Sequence, residues 1–195
     1  MRKIILLFFI FLSFFLNAHE PNYGLYFKSH KYMGAERTAL VLNNNKPFRL
    51  NKEFILSFDM SLRNGFIFGT VFKIISDTQD VISLNFIADE KNNQYPILSI
   101  NDNIYPITNR IELNKWFFVN IRFSAKKDSV LLDYDKIHLA IPFSFKDWRE
   151  VSLYFGVCRH PNFSSAEIPP MNVRNIKIHS NNKLIRYWQL KRHTI

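Results

Sequence analysis

The sequence predicts an all-β fold, a two-sheet antiparallel sandwich, on two observations. Apolar and polar residues alternate with a period of two along four stretches of the 195-residue chain. Clusters of Asn, Asp, Gly and Lys interrupt them at roughly ten-residue spacing. Alternation places each apolar set on one face of a strand, toward a core, and the polar set on the other. Many short strands separated by turns fold as a sandwich or a barrel.

The first segment stands apart. Met1, Arg2 and Lys3 precede an unbroken apolar run from Ile4 to Leu12, which resumes at Phe14–Leu16 and ends at Asn17, Ala18 and His19. That order of charge, apolar run and small residue is the order of a secretory signal peptide. The rival reading is a retained anchor helix, but the run falls short of the ~20 residues a membrane helix needs. Residues 1–18 are read as a signal peptide and 19–195 as a single β-sandwich domain. The domain is expected outside the cytoplasm (periplasmic, cell-surface or secreted), with no membrane span after leader cleavage.

The strands follow in order. Phe54, Leu56, Phe58 and Met60 alternate with Ile55, Ser57, Asp59 and Ser61. Phe66–Ile75 is apolar on both faces, as in a central strand covered on both sides or one that lines an interface. Ile82, Leu84 and Phe86 alternate with Ser83 and Asn85; Phe117, Val119, Ile121 and Phe123 with Phe118, Asn120 and Arg122; Leu153, Phe155 and Val157 with Ser152, Tyr154 and Gly156. Turn signals fall at Asn43–Asn45, Arg63–Gly65, Lys91–Asn93, Asn101–Asn103, Lys126–Asp128, Asp133–Lys136 and Asn181–Asn182. Asn and Asp suit such turns because they tolerate left-handed backbone. Phe145–Glu150 is the one stretch that reads as a helical turn.

Composition sets bounds. The chain has a single cysteine, Cys158, so no internal disulfide staples the domain. About 177 residues bury enough surface to fold without one. The formal net charge is +10, of which the leader contributes two. The cations are spread singly, not in a stripe, so a nucleic-acid partner is not expected and the surface attracts anionic polymers or surfaces at most. Richness in Lys, Asn, Ile and Phe points to an AT-rich bacterial source.

A search for chemistry finds no reaction centre. A sandwich glycosidase sets two carboxylates about 5–10 Å apart across the sugar. No Glu-x-Asp-x-x-Glu run exists, and the nearest pair, Asp133 and Asp135, reads as a turn. His19, His30, His138, His160, His179 and His193 lack metal-ligand spacing. A calcium site built from loop oxygens needs no fixed spacing, so calcium is the one cofactor the sequence leaves open. Cys158 lies in no nucleophile motif, and five glycines form no phosphate loop.

Several stretches together resemble the concanavalin A-like, laminin-G-type jelly roll. Gly34–Leu42 resembles its first core strand, Phe54–Met60 the strand that opens the sandwich, and Trp116–Phe123 its W-x-x-V-x-I-x-F strand. Leu131–Lys136 resembles a hairpin usually reading V-D-G-K, here with Tyr134 and Asp135 in place of the simpler turn. Pro169–Ile178 followed by Tyr187-Trp188-Gln189-Leu190 resembles the variant that precedes kelch-type propellers in exported bacterial proteins. The chain ends at Ile195 without such a propeller, which leaves a stand-alone module and a shortened product as the two readings.

The resemblance implies carbohydrate or protein ligands. The candidate ligand-binding residues are Asp59, Asn85, Asn120, Arg122 and Tyr154, outward by alternation, with Trp148 and Arg159 in or beside loops. The rival reading is a solvated sheet face with Trp148 anchoring a loop at the core rim. The expected function is a non-catalytic, lectin-like module for a polysaccharide or glycan. The alternatives are a structural or protein-interaction module, detached from a kelch propeller, and a glycoside hydrolase.

Overall fold

A computed structural model describes residues 24–50, 53–108 and 112–190; the leader read at residues 1–18 lies outside them. The chain runs through β1 (Leu25–Tyr26), a 3-10 turn at Gly34–Glu36, β2 (Ala39–Val41), a turn at Leu42–Asn45 whose asparagines take left-handed backbone, and β3 (Phe48–Arg49). Then come β4 (Glu53–Leu62), β5 (Gly69–Ser76), β6 (Val81–Ala88), β7 (Gln94–Ile100) and β8 (Asn103–Pro106). The last six are β9 (Trp116–Ser124), β10 (Ser129–Tyr134), β11 (Ile137–Pro142), β12 (Glu150–Gly156), β13 (Met171–Ser180) and β14 (Lys183–Trp188). All fourteen lie between Leu25 and Trp188, so a chain beginning at His19 keeps every described strand.

They form two antiparallel seven-stranded sheets. The first has the order β1-β13-β4-β9-β10-β11, with β14 also on β13; the second has β2-β12-β5-β6-β7-β8, with β3 also on β12. The sheets pack through their apolar sets. Phe58 meets Phe72 and Phe155 of the opposite sheet edge-on, with ring centroids 5.7 and 5.0 Å apart. Phe54, Leu56, Met60, Ile74, Ile82, Leu84, Phe86, Val119 and Ile121 are fully buried around them. Cys158 is free and buried. Among the described residues, no helix is long and apolar enough to cross a membrane.

The turns fall where the Asn and Asp clusters predict them. Asn43, Asn44, Asn45, Asn92, Asn101, Asp128, Asp135, Asn181 and Asn182 all take positive φ. Glycine is required where backbones meet. A Cβ on Gly69, at φ +107, would lie 2.3 Å from the Glu167 carbonyl, which accepts the Thr70 amide at 2.8 Å.

Four expectations change. The Phe66–Ile75 run splits: β5 starts at Gly69 and sits inside its sheet, while Phe66 and Phe68 stack on each other in the connection. Phe145–Glu150 forms one hydrogen-bonded turn, the Trp148 amide donating to the Phe145 carbonyl at 3.1 Å, with no helix, and Glu150 already opens β12. Within Gly34–Leu42 only Ala39–Val41 is a strand, and it lies at the edge of its sheet.

Trp148, offered as a ligand-binding residue, is buried at 6% exposure. Its ring packs against Phe123, Phe143 and Phe145, with centroids 5.6–6.1 Å away. Its indole N–H donates to Asp80 at 2.7 Å. Asp80 also accepts from the Asn101 amide and the Thr78 hydroxyl, each at 2.8 Å. Burial pushes the Asp80 carboxyl up, but these three hydrogen bonds outweigh it and hold it below its ordinary value.

Trp148→Ala is therefore expected to lower the unfolding free energy by about 3–5 kcal/mol, read by urea denaturation. Asp80 binds its proton less readily folded than unfolded. Its contribution to stability is present above the ordinary carboxylate range and disappears as pH falls through the lower folded value. Asp80→Asn should lose less stability than the parent between about pH 5 and pH 2, as checked by urea midpoints across that range.

Candidate functional site

The sequence-predicted residues fall in three places. Asp59, Asn120 and Arg122 share the outer face of the first sheet, on the paired strands β4 and β9. Asn85 on β6, Tyr154 on β12 and Arg159 just beyond it belong to the second sheet. Trp148 is in the core. A period of two says which residues face outward but not which strands are neighbours, so alternation merged two opposite faces into one set.

The first face is built around Phe118, which lies opposite Asp59 across the β4–β9 pair and is 50% exposed. Asn120 lies opposite Ser57, and Arg122 opposite Ile55. On the far side of β9, Asn120 lies opposite Asp133, which lies opposite His138 on β11. The Asn120 amide donates to Asp133 Oδ2 at 2.8 Å, and His138 Nδ1 is 2.7 Å from Oδ1. Burial alone pushes the Asp133 carboxyl up; the hydrogen bonds from His138 and Asn120, with the charges of His138 and Arg122, hold it below its ordinary value.

A second network flanks Phe118 on the β13 side. The β4–β13 register shifts between Arg174 and Lys177, and Asn175 in this bulge takes φ +54. Asn adopts that backbone readily, and a bulge re-aims side chains. The Asn175 amide donates to Asp59 Oδ2 at 2.7 Å, and its carbonyl accepts the Tyr187 hydroxyl at 2.8 Å. Arg174 reaches the same Asp59 oxygen at 3.3 Å while its guanidinium lies 4.1 Å over the Trp116 ring. Lys177 lies 5.3 Å over the Tyr187 ring. The face thus carries half-exposed aromatics between carboxylate, amide, imidazole and guanidinium groups held in place by one another.

The second face is more occupied. The Asn85 amide donates to Ser83 at 2.8 Å and Ser99 at 3.4 Å. The connection after β12 crosses this face: Lys73 Nζ donates to the Phe163 carbonyl at 3.0 Å, and the His160 ring sits edge-on to Tyr154 at 6.3 Å. Burial lowers the Lys73 ammonium and raises the Tyr154 phenol from their ordinary values.

Sequence reasoning missed Phe118, Asp133, His138, Arg174 and Tyr187. Asp133 read as part of a turn, but it lies within strand β10, which ends at Tyr134, and the turn itself is Asp135–Lys136. Asp133 and His138 sit symmetrically about that two-residue turn, which is the legible sign that they face each other. Phe118 is the one large apolar residue in an otherwise polar alternating set.

Among the described residues no group of three His, Cys, Asp or Glu side chains gathers to hold a metal. The loop carboxylates already take N–H donors: Asp77 from the Arg149 amide, and Asp89 from the amides of Lys91 and Asn93.

No family model and no curated protein sequence matches the chain. Solved structures do. The full-length tailspike protein 2 of an Escherichia coli O157:H7 bacteriophage aligns over 86% of this chain and 26% of its own, at 14% identity and TM-score 0.57; its enzymatically active domain also aligns, at TM-score 0.54. Mouse laminin α1 domains LG4-5 align over 80% of this chain and 42% of theirs, at 14% identity and TM-score 0.52. A heptameric SAP-like pentraxin from Limulus polyphemus aligns over 68% and 66%, at 10% identity and TM-score 0.50. The chain thus spans from about a quarter to two thirds of these proteins, and at such identities the likeness is one of fold.

Asn120→Ala removes one of the donors to Asp133. The Asp133 carboxyl should then titrate closer to its ordinary value, measured by side-chain carbon NMR between about pH 2 and pH 6.

Proposed function

We propose that this concanavalin A-like, laminin-G-type jelly roll is a non-catalytic carbohydrate-binding module acting outside the cytoplasm, with the outer face of the first sheet as its platform. The observation that carries the reading is the half-exposed Phe118 between two fixed hydrogen-bonding networks. A sugar ring offers an apolar C–H face and a rim of hydroxyls. An aromatic ring takes the face, and carboxylate, amide and guanidinium groups take the rim. Asp59, Asn120, Asp133 and His138 are already held by neighbours, so little side-chain freedom is lost on binding.

The same face argues for binding over hydrolysis. Asp59 and Asp133 lie two strands apart and two residues out of step, which places their α-carbons about 12 Å apart on ordinary sheet spacings. The Asp59 carboxylate is drawn toward β13 by Arg174 and Asn175, away from Asp133. A glycosidase pair works at about 5–10 Å, with one acid kept protonated by a raised pKa. Asp133 is shifted the opposite way.

The protein-interaction reading is favoured by β14, an edge strand with Leu184 and Ile185 exposed. An exposed edge offers unpaired backbone groups to a strand of another chain.

A glycan array probed with the chain beginning at His19, with and without calcium, tests the proposal. The expected result is binding to a polysaccharide that drops about five- to tenfold in Phe118→Ala and Asn120→Ala, each being worth on the order of 1–1.5 kcal/mol. Asn85→Ala, on the opposite sheet, should bind as the parent does. A blank array, or binding indifferent to Phe118→Ala, would sink the platform.

A further inference from the structure

We infer a second binding site, separate from the sheet platform, for a small hydroxylated ligand carrying an oxyanion. It is a cavity of about 560 Å³ beside the end of β12, between the Gly34–Glu36 turn and the connection that follows β12. That volume lies in the range of small-molecule sites, about 300–1,000 Å³.

The local sequence builds the cavity wall. Cys158 and Ser165 exchange backbone hydrogen bonds of 2.9 Å in both directions, which closes residues 159–164 into a compact loop. Lys73 anchors that loop from the sheet through the Phe163 carbonyl. The His160 ring stacks on Phe163, with centroids 5.4 Å apart and planes 28° from parallel. Its Nδ1 accepts the Asn162 amide at 3.3 Å, which leaves the neutral ring with its proton on Nε2 as a donor. The imidazole is thus oriented by three neighbours.

The lining is mostly small and apolar, with a few donors and no carboxylate. Arg159 and His160 contribute a guanidinium and an imidazole, and Ser164 contributes a hydroxyl. Arg159 is exposed and forms no ion pair among the described residues. The Ser165 hydroxyl oxygen is buried beneath the lining surface and has no hydrogen-bond partner. The nearby acid Glu167 is engaged by Arg37 at 2.6 Å. Opposite, Gly34 and Ala35 line the cavity, and a Cβ on Gly34 would meet nothing within 4 Å. A guanidinium beside an imidazole donor and the Ser164 hydroxyl, with no carboxylate in the lining, selects an oxyanion, and the volume around it suits a sugar-sized body.

Amide-resolved NMR titration of the chain beginning at His19 tests this, with glucuronate, glucose and inorganic phosphate as probes. Glucuronate should shift the amides of Gly34, His160 and Ser164. Its affinity should fall about tenfold or more in Arg159→Gln, the usual weight of a charge-assisted hydrogen bond. Glucose should bind at least as weakly as glucuronate binds that variant, and Phe118→Ala should leave the titration unchanged. No shift at those amides, or shifts that survive Arg159→Gln, overturns the site. Phosphate binding as tightly as glucuronate overturns the hydroxylated part of the ligand. Arg159 is exposed, so its replacement should preserve the fold, which the dispersion of the same spectra verifies. A blank glycan array would leave this site standing, and failure here would leave the sheet platform standing.

Discussion

The contact of Phe58 with Phe72 and Phe155 fixes the direction of everything else in the molecule. It joins the two sheets at their centre, and each ring is fully buried. Side chains alternate along a strand, so a one-residue slip would bring the neighbouring residue into the core. Those neighbours are Asp59, Lys73 and Tyr154. Burying an unpaired Asp or Lys opposes folding far more than the slip gains, so the phenylalanine cluster and the polar residues beside it enforce the same register from opposite sides. Asp59 reaches the outer networks because Phe58 cannot leave the core.

That constraint explains what was legible. Inward and outward sets in β4, β6, β9 and β12 followed directly from alternation, and the turns followed from Asn and Asp at positions that need positive φ. What alternation does not carry is which strands are neighbours. Asp59 and Asn120 meet because β9 pairs with β4 across a separation of some sixty residues, while Asn85 and Tyr154 lie in the other sheet. Trp148 misled for a different reason. Its loop setting suggested exposure, but its indole N–H has Asp80 as a partner, and that bond lets a polar-edged ring sit inside the core rim. Asp133 misled because its composition matched a turn while its pairing with Asn120 and His138 extends the strand past it.

The two outer faces then differ in kind. The first is crossed by side-chain networks that run from β11 to β14 and leave aromatic rings half-exposed between them. The second is overlaid by the connection after β12, which takes up Lys73 and shelters Tyr154 and Cys158. A face whose hydrogen-bonding groups are fixed but still reachable suits a broad ligand laid along the strands. A loop clamped onto a sheet suits a small ligand held at its margin.

The acids make the same distinction in chemical terms. Asp59, Asp77, Asp80, Asp89 and Asp133 all accept hydrogen bonds from N–H or O–H donors. For Asp80, Asp89 and Asp133 those donors outweigh burial and lower the carboxyl pKa. Asp80, Asp89 and Asp133 therefore stay ionised near neutral pH. They remain good acceptors for sugar hydroxyls, because a carboxylate has more lone pairs than one or two donors fill. Of these acids only Asp59 and Asp133 flank Phe118, and in the proposed platform they are the rim contacts.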